Sequence, residues 1–437
     1  MITKKQITIG CVGMTHLGLI HAVAFAEKGF YLICYDDSPQ LISELTAHRM
    51  PVSEPQLDEL VAQCSTRLQF TNDLHQLKLC DVVFIACDVP TDDAGNSDLK
   101  VIEQFVAKVN PVLATHASLV ILSQVPPGFT RQINRPKNKL FYQVETLIFG
   151  RAIERALYPE RYIVGADDPQ IELPDAYQAL LSAFNCPILK MRYESAELAK
   201  ISINMFLVAS VTTTNTIAEI CENIGADWEE IAPALRLDRR IGHYAYLSPG
   251  LGIAGGNLER DLNTIIKLGN ASSTDTGTVS AWLENSQYRR DWVLRCLQTK
   301  VFTETKKPVI CVLGLAYKPN THSVKNSPSI ALITQLKEYQ IKAHDPIVTD
   351  QHITHVTQYA DMLDAIYGAD IVIVMNPCTE YQNLCIERIL KHMRGKTIID
   401  PYRVLKAGQD YSLDLNYFSL GQGAIKIENK ELEHAYT

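Results

Sequence analysis

Hydrophobic residues in this chain fall into short unbroken runs separated by amphipathic stretches. Gln6-Ile-Thr-Ile-Gly10 reads as a β run. A glycine turn follows it, and an apolar helix is expected from about Leu19 to Lys28, stopped by Gly29. Tyr31-Leu-Ile-Cys-Tyr35 is the next strand and ends in Asp36-Asp37. Asp81-Val-Val-Phe-Ile-Ala86 and Ser118-Leu-Val-Ile-Leu122 continue the series. Strands that are apolar throughout, separated by helices, indicate a parallel sheet covered on both faces.

The C-terminal third repeats this grammar. Pro308-Val-Ile-Cys-Val-Leu-Gly314 parallels the first strand and its turn, and Ile341-Lys-Ala-His-Asp345 parallels the strand that ends in an acid. Ala369-Asp-Ile-Val-Ile-Val374 and Gly395-Lys-Thr-Ile-Ile-Asp400 supply the third and fourth parallels. Between the two halves, Glu194 to about Asn223 lacks Pro and Gly and places Leu198, Ile201, Met205 and Val208 at helical spacing. A helix of roughly 30 residues spans about 45 Å, enough to serve as a spine between domains or at a dimer interface. A shorter helix is expected near Trp228 to Leu237. The fold expected is α/β: two doubly wound Rossmann-like domains joined by a long helix and a small helical middle domain. The boundaries are 1–190, 191–298 and 299–437.

Composition narrows the function classes. With 41 basic and 49 acidic residues among 437 the net charge is −8, so no basic field exists to gather nucleic acid. Eleven scattered cysteines, none in a C-x-x-C pair, suit reduced buried thiols in the cytoplasm, and neither a disulfide frame nor a metal site is expected. Lys4-Lys5 and the apolar residues after it imitate a signal peptide, but Gly10, Gly13, His16, Gly18 and His21 interrupt the run. No uninterrupted apolar stretch reaches a membrane span, so no membrane partner is expected.

Four motifs carry chemistry. Gly13-Met14-Thr15-His16-Leu17-Gly18 follows a strand and opens a helix, the context of a dinucleotide fingerprint. The helix N-terminus offers N–H groups to a pyrophosphate, and Asp36, 18 residues past Gly18, is placed to take a ribose diol. No Arg accompanies Asp36-Asp37, which favours NAD over NADP. Thr15 stands where the fingerprint's middle glycine belongs, and its hydroxyl is a candidate phosphate ligand. Val89-Pro90-Thr91 and Ser123-Gln124-Val-Pro-Pro-Gly128 sit after strands, where ligand loops lie, although each alone reads equally as a Pro-Gly turn. On the long helix, Lys200 and Asn204 are one turn apart and suit an oxyanion, although from this window alone a solvated lysine on a surface face is the better reading. Tyr246 to Asp261 packs four glycines between Gly250 and Gly256 ahead of Asn257 and Asp261, a loop that closes over a ligand or links two helices.

The ordered set resembles the UDP-glucose/GDP-mannose dehydrogenase family, the NAD-dependent nucleotide-sugar dehydrogenases, over nearly the whole length. Further matches are Tyr158-Pro-Glu-Arg-Tyr-Ile-Val-Gly165, Glu197-Leu-Ala-Lys200, Asp238-Arg-Arg-Ile-Gly242, Gly314-Leu-Ala-Tyr-Lys-Pro-Asn-Thr321, Asn326-Ser-Pro328 and His344-Asp-Pro346. The resemblance implies oxidation of a sugar C6 alcohol to a carboxylate with two NAD, through a thiohemiacetal and a thioester on cysteine. It gives Lys200 and Asn204 the oxyanion, Asp261 a water or proton, and Glu145 thioester hydrolysis. It assigns Arg240 to a partner subunit's substrate and Lys318 to a diphosphate, and places Lys325 near NAD. Leu147, Tyr246 and Gly252 join the substrate site by the same likeness. A homodimer through the central helix, a UDP-sugar substrate and a role in polysaccharide biosynthesis are implied as well.

The departures are specific. The family's loop cysteine is Asn257 here, its Pro-Lys is Glu259-Arg260, a Ser-Thr pair is Ser123-Gln124, and the second Glu of a Glu-Gly pair is Phe149. An amide nitrogen is not a nucleophile of the thiolate kind. Three outcomes follow: oxidation to the acid through a hydrated aldehyde, arrest at an aldehyde or ketone, or nucleotide-sugar binding without turnover. A β-hydroxy-acid dehydrogenase also joins a dinucleotide domain to helices, but the second α/β domain argues against it.

Overall fold

The computed structural model describes residues 6–90, 97–254, 256–302, 307–349, 353–405, 415–423 and 425–427. Thr91, named above as a ligand residue, lies outside them. The chain forms two compact units, Met1–Ile203 and Asn204–Thr437.

The first unit is built on one sheet. Its strands are β1 (Thr8–Val12), β2 (Tyr31–Tyr35), β3 (Leu68–Thr71), β4 (Val82–Ile85), β5 (Ser118–Ile121), β6 (Leu140–Gln143), β7 (Tyr162–Ala166) and β8 (Ile188–Arg192). They pair in the order β3-β2-β1-β4-β5-β6-β7-β8, parallel except between β6 and β7. Alternate residues of β4 enter opposite cores: Val82 and Phe84 face one, Val83 and Ile85 the other. That two-sided burial is why the strand is apolar throughout. The strand order reverses between β1 and β4, and the crevice at their carboxyl ends is the expected ligand position of such a sheet.

The second unit repeats the plan with β9 (Val309–Leu313), β10 (Gln340–His344), β11 (Val356–Gln358), β12 (Ile371–Val374), β13 (Thr397–Ile399), β14 (Leu415–Phe418) and β15 (Ile425–Ile427). Their order is β11-β10-β9-β12-β13-β14-β15, with only β15 antiparallel. Ahead of this sheet, helices Trp228–Leu237, Asn257–Ser272 and Gly277–Arg290 bury two small cores, one centred on Val208, Ile253, Leu262 and Val279. Two Rossmann-like sheets with a helical central region are therefore present.

Two expectations need correction. The first helix runs His16–Glu27, three residues earlier than expected, because Gly18 fits inside its first turn: a Cβ there would lie 1.9 Å from the Gly13 carbonyl oxygen. The long helix, Tyr193–Ile224, is apolar and long enough to cross a membrane by length and composition, with 33% of its apolar window buried. Counting unbroken apolar runs missed it, since Ser, Thr and Asn interrupt a stretch from Ile201 to Ala218 that carries no ionisable residue. All eleven cysteines are free thiols, eight of them buried.

Candidate active site

The glycine turn after β1 is closely fitted. Gly13 has φ +89°, and a Cβ on it would sit 2.7 Å from that of Cys87. Only glycine meets both conditions. Gly13 N–H donates to the Tyr35 carbonyl at 2.9 Å, and Met14 N–H donates to Asp36 Oδ2 at 2.9 Å. The half-exposed Asp36 thus fixes the turn with one oxygen and takes Ser38 N–H with the other at 3.0 Å. Asp37 is engaged elsewhere, by Lys108 at 2.5 Å and by the Tyr35 hydroxyl at 2.6 Å. Thr15 is the N-cap of the first helix in extended backbone, so the missing middle glycine costs no strain. Its side chain caps nothing; Oγ1 accepts the Asp88 N–H at 2.9 Å instead. The turn, a helix start that its own N-cap side chain leaves open and an acid at the end of β2 fit a dinucleotide.

His16 and Leu17 face inward. The His16 ring meets Glu54 at 3.0 Å and packs tilted against Phe149 with centroids 4.3 Å apart, so this residue has only its backbone to offer a cofactor. Phe149, one of the departures, thereby gains a packing role. Ser123 is buried and gives its hydroxyl to the Cys87 carbonyl at 2.6 Å. Glu197, quoted in a motif but given no role, is fully buried and takes the N–H groups of Gly128 at 2.6 Å and Thr130 at 2.9 Å. It sets the Pro-Pro-Gly loop; a carboxylate on a helix face pointing at a glycine loop was the available signal. Pro90 is exposed and Gln124 half-buried at the ends of the loops after β4 and β5.

Lys200 Nζ lies 2.8 Å from Glu145 Oε1, both side chains largely buried. Leu147 N–H also donates to Glu145, at 2.9 Å, while the Leu147 side chain packs on the first core. Burial pushes the Glu145 carboxyl up, but the Lys200 charge and hydrogen bond, the Leu147 N–H and His21 outweigh it and hold it below the usual range.

Four residues further along the same helix, Asn204 Nδ2 donates to Asp261 Oδ2 at 2.6 Å. Asp261 is 1% exposed, and its other oxygen meets Arg260 Nε at 3.2 Å. Asn257 is the first residue of the Asn257–Ser272 helix and is exposed; Gly256 before it has φ +89°. Glu259 receives Asn326 Nδ2 at 2.6 Å and Arg290 Nη2 at 2.9 Å, so the Glu259-Arg260 departure makes polar links of its own. The loop is positioned from below: Thr214 donates to the Tyr246 carbonyl at 3.2 Å, and Asn215 Oδ1 takes Gly250 N–H at 2.8 Å. Gly252 admits no side chain, since a Cβ would lie 2.4 Å from the Ser286 carbonyl oxygen. Arg240 is almost fully exposed and chelated by its neighbour Asp238 at 2.7 and 3.0 Å.

In the second sheet a concavity at the carboxyl ends of β9, β10 and β12 is lined by Lys318, Asn320, Thr321, Asp345, Asn376 and Thr379, among others. Lys325 runs its stem beside Gly256, whose Cβ would meet it at 3.4 Å. No group of three or more metal-ligating side chains occurs among the described residues.

Three family models match in order. Residues 7–184 match the NAD binding domain, 194–287 the central domain and 311–407 the UDP binding domain of the UDP-glucose/GDP-mannose dehydrogenase family. A UDP-glucose 6-dehydrogenase of Rickettsia bellii (strain RML369-C) is 30% identical over 431 residues, covering 94% of this chain and 98% of that protein. UDP-glucose 6-dehydrogenase TuaD of Bacillus subtilis (strain 168) is 27% identical over 436 residues, covering 96% and 94%. The solved UDP-glucose dehydrogenase of Pyrobaculum islandicum superposes with a TM-score of 0.83 at 25% identity, covering 97% of this chain and 99% of that one.

Proposed function

The chain belongs to the UDP-glucose/GDP-mannose dehydrogenase family, whose cofactor is NAD, and from that premise we propose that it oxidises the C6 alcohol of a UDP-hexose to the uronate without an enzyme thioester. The observation that carries this reading is Asp261, buried and oriented by Asn204 at 2.6 Å, on the helix that Asn257 opens. This pair supports acid-base chemistry in a loop that offers Asn257 instead of a thiol.

NAD, when bound, supplies the hydride acceptor. Lys200 and Asn204 lower the cost of negative charge on the C6 oxygen as its proton leaves. Asp261 accepts that proton, directly or through water. Water then adds to the aldehyde carbon, and Asn257 at its helix N-terminus holds the resulting diol by hydrogen bonds. A second proton leaves a diol oxygen as the second hydride departs. One alcohol and one water give one carboxylate, two hydrides and three protons. Glu145, 2.8 Å from the Lys200 ammonium, holds that side chain in position. Gly13 to Gly18, Asp36 and the loops at Pro90 and Ser123 hold the dinucleotide. Lys318, Tyr246 and Gly252 hold the nucleotide sugar.

The supply of activated uronic acid for polysaccharide biosynthesis follows from this product's chemistry, and the free thiols fit the cytoplasm. A homodimer is supported by apolar side chains left exposed on the long helix, Phe206, Ile220 and Ile224. We divide the chain into three domains at 1–190, 191–298 and 299–437, a reading supported by family matches over 7–184, 194–287 and 311–407.

The test is stoichiometry. Two NADH per UDP-glucose with a uronate product is expected. One NADH per sugar means arrest at the aldehyde, and sugar binding with no NADH means a binding protein. Asn257→Cys, analysed by intact mass during turnover, is expected to show a thioester adduct; its absence would mean that the loop cannot support covalent chemistry.

A further inference from the structure

Thr15 and Asp88 are joined by contacts that the fingerprint does not require. Asp88 follows β4, on the loop that faces the glycine turn, and its N–H donates to Thr15 Oγ1 at 2.9 Å. Its carboxylate lies on the first helix: Leu17 N–H, in the opening turn, points at Asp88 Oδ2 at 3.4 Å. A glycine at position 15 could not make the first bond, so the departure from the fingerprint and the position of Asp88 are linked. The N–H groups of that opening turn have no partner within the helix and favour anions. They are also the groups a pyrophosphate takes in a dinucleotide site.

We propose that Asp88, held by Thr15, sets the affinity of the cofactor site by occupying with its own carboxylate the helix N-terminus that the pyrophosphate of NAD must reach. The inference rests on the NAD reading. Asp88 is exposed, so it is free to swing out, and binding is then an exchange of one anion for another at the same N–H groups. The exchange costs the Leu17 contact and sets a carboxylate close to two phosphates. Thr15 acts as a positioning residue through the Asp88 backbone. Asp36 has no such conflict on the NAD reading, because its partner is Met14 N–H and a ribose diol carries no charge.

The experiment is calorimetric titration of the full-length protein with NAD, ADP-ribose and adenosine. Asp88→Asn keeps the backbone N–H and the side-chain shape while removing the charge. It is expected to tighten NAD and ADP-ribose by about three- to tenfold at 0.1 M salt, by less at 0.5 M, and to leave adenosine unchanged. Thr15→Gly is expected to tighten the two diphosphates by roughly two- to threefold, and Thr15→Ser to behave as the unaltered protein. Thermal midpoints of each variant separate folding from binding. Wild-type binding of NAD with no gain in Asp88→Asn, or an equal gain for adenosine, overturns the role of Asp88 and leaves the cofactor reading standing. Failure of every variant to bind NAD or ADP-ribose overturns both.

Discussion

Both sheets leave their first strand on a glycine, and both end their second strand in an aspartate, yet the two aspartates are used differently. Asp36 takes two backbone N–H groups, from Met14 and Ser38, and stays half exposed. Asp345 takes four, from Leu315, Ala316, Ile347 and Val348, and is 6% exposed. The first turn runs straight into a helix at His16, whereas the second passes through a long polar loop before the helix Pro328–Gln335. One topology therefore yields an acid with spare capacity for a ligand in the first unit. In the second the acid is consumed by its own backbone, and the concavity beside it is lined by loop side chains such as Lys318.

The most severe test exchanges the fates of these acids. Asp345→Ala leaves four N–H groups without an acceptor and is expected to cost roughly 3 to 5 kcal/mol of stability. Trp228, Trp282 and Trp292, the three tryptophans of the chain, all lie in the second unit, so urea titration followed by their fluorescence reads it directly. Asp36→Ala is expected to leave that transition in place and instead weaken NAD by roughly ten- to hundredfold, as loss of a charged hydrogen-bond partner does. Equal destabilisation by both substitutions would erase the distinction.

The next test targets what the sheets share. Gly13→Ala and Gly314→Ala each put a Cβ at positive φ, 2.7 Å from Cys87 Cβ in one case and 2.4 Å from Asn376 Cβ in the other. Both are expected to cost roughly 2 to 4 kcal/mol. Circular dichroism melts would register them alike. A tolerated Gly314→Ala would mean that the second turn is not held as the first is.

The shared plan was legible because it is written locally. Apolar runs, a glycine after a strand and an acid ending the next strand appear within a few neighbours, and their repetition near Pro308 disclosed the second sheet. The edge strand β3 was passed over because Leu68-Gln-Phe-Thr71 is short and exposed at its second residue. The contrast between Asp36 and Asp345 was not legible, since the number of N–H groups each receives is decided by loops whose path the sequence pattern does not reveal. From the sequence Thr15 is a candidate phosphate ligand, yet its hydroxyl oxygen receives an N–H from 73 residues away. Likewise Phe149 and Glu259 looked like losses of catalytic groups, and their partners His16, Arg290 and Asn326 are all distant in sequence.

The smallest effect expected is in the acid limb, where the two units again differ. Glu145, held below its usual range, stabilises the first unit only while ionised. That contribution is present above about pH 4.5, its unperturbed value, and is lost as pH falls through the folded value. Asp400 in the second unit is the reverse: burial raises it, against hydrogen bonds from the Leu405 backbone and Tyr417, so acidification adds stability there until the pH is below its unperturbed value near 3.8. Each slope is bounded at about 1.4 kcal/mol per pH unit for one proton. Hydrogen exchange between pH 3.5 and 6.5, corrected for intrinsic rates and read on β6 and β13, is expected to give opposite trends. Lys200→Met removes the cation that keeps Glu145 low, leaving burial dominant, so the trend in β6 should reverse and match that of β13. An unchanged β6 profile would mean that Lys200 does not set the ionisation of Glu145, and the role proposed for that pair in aiming the lysine at the substrate oxygen would fall with it.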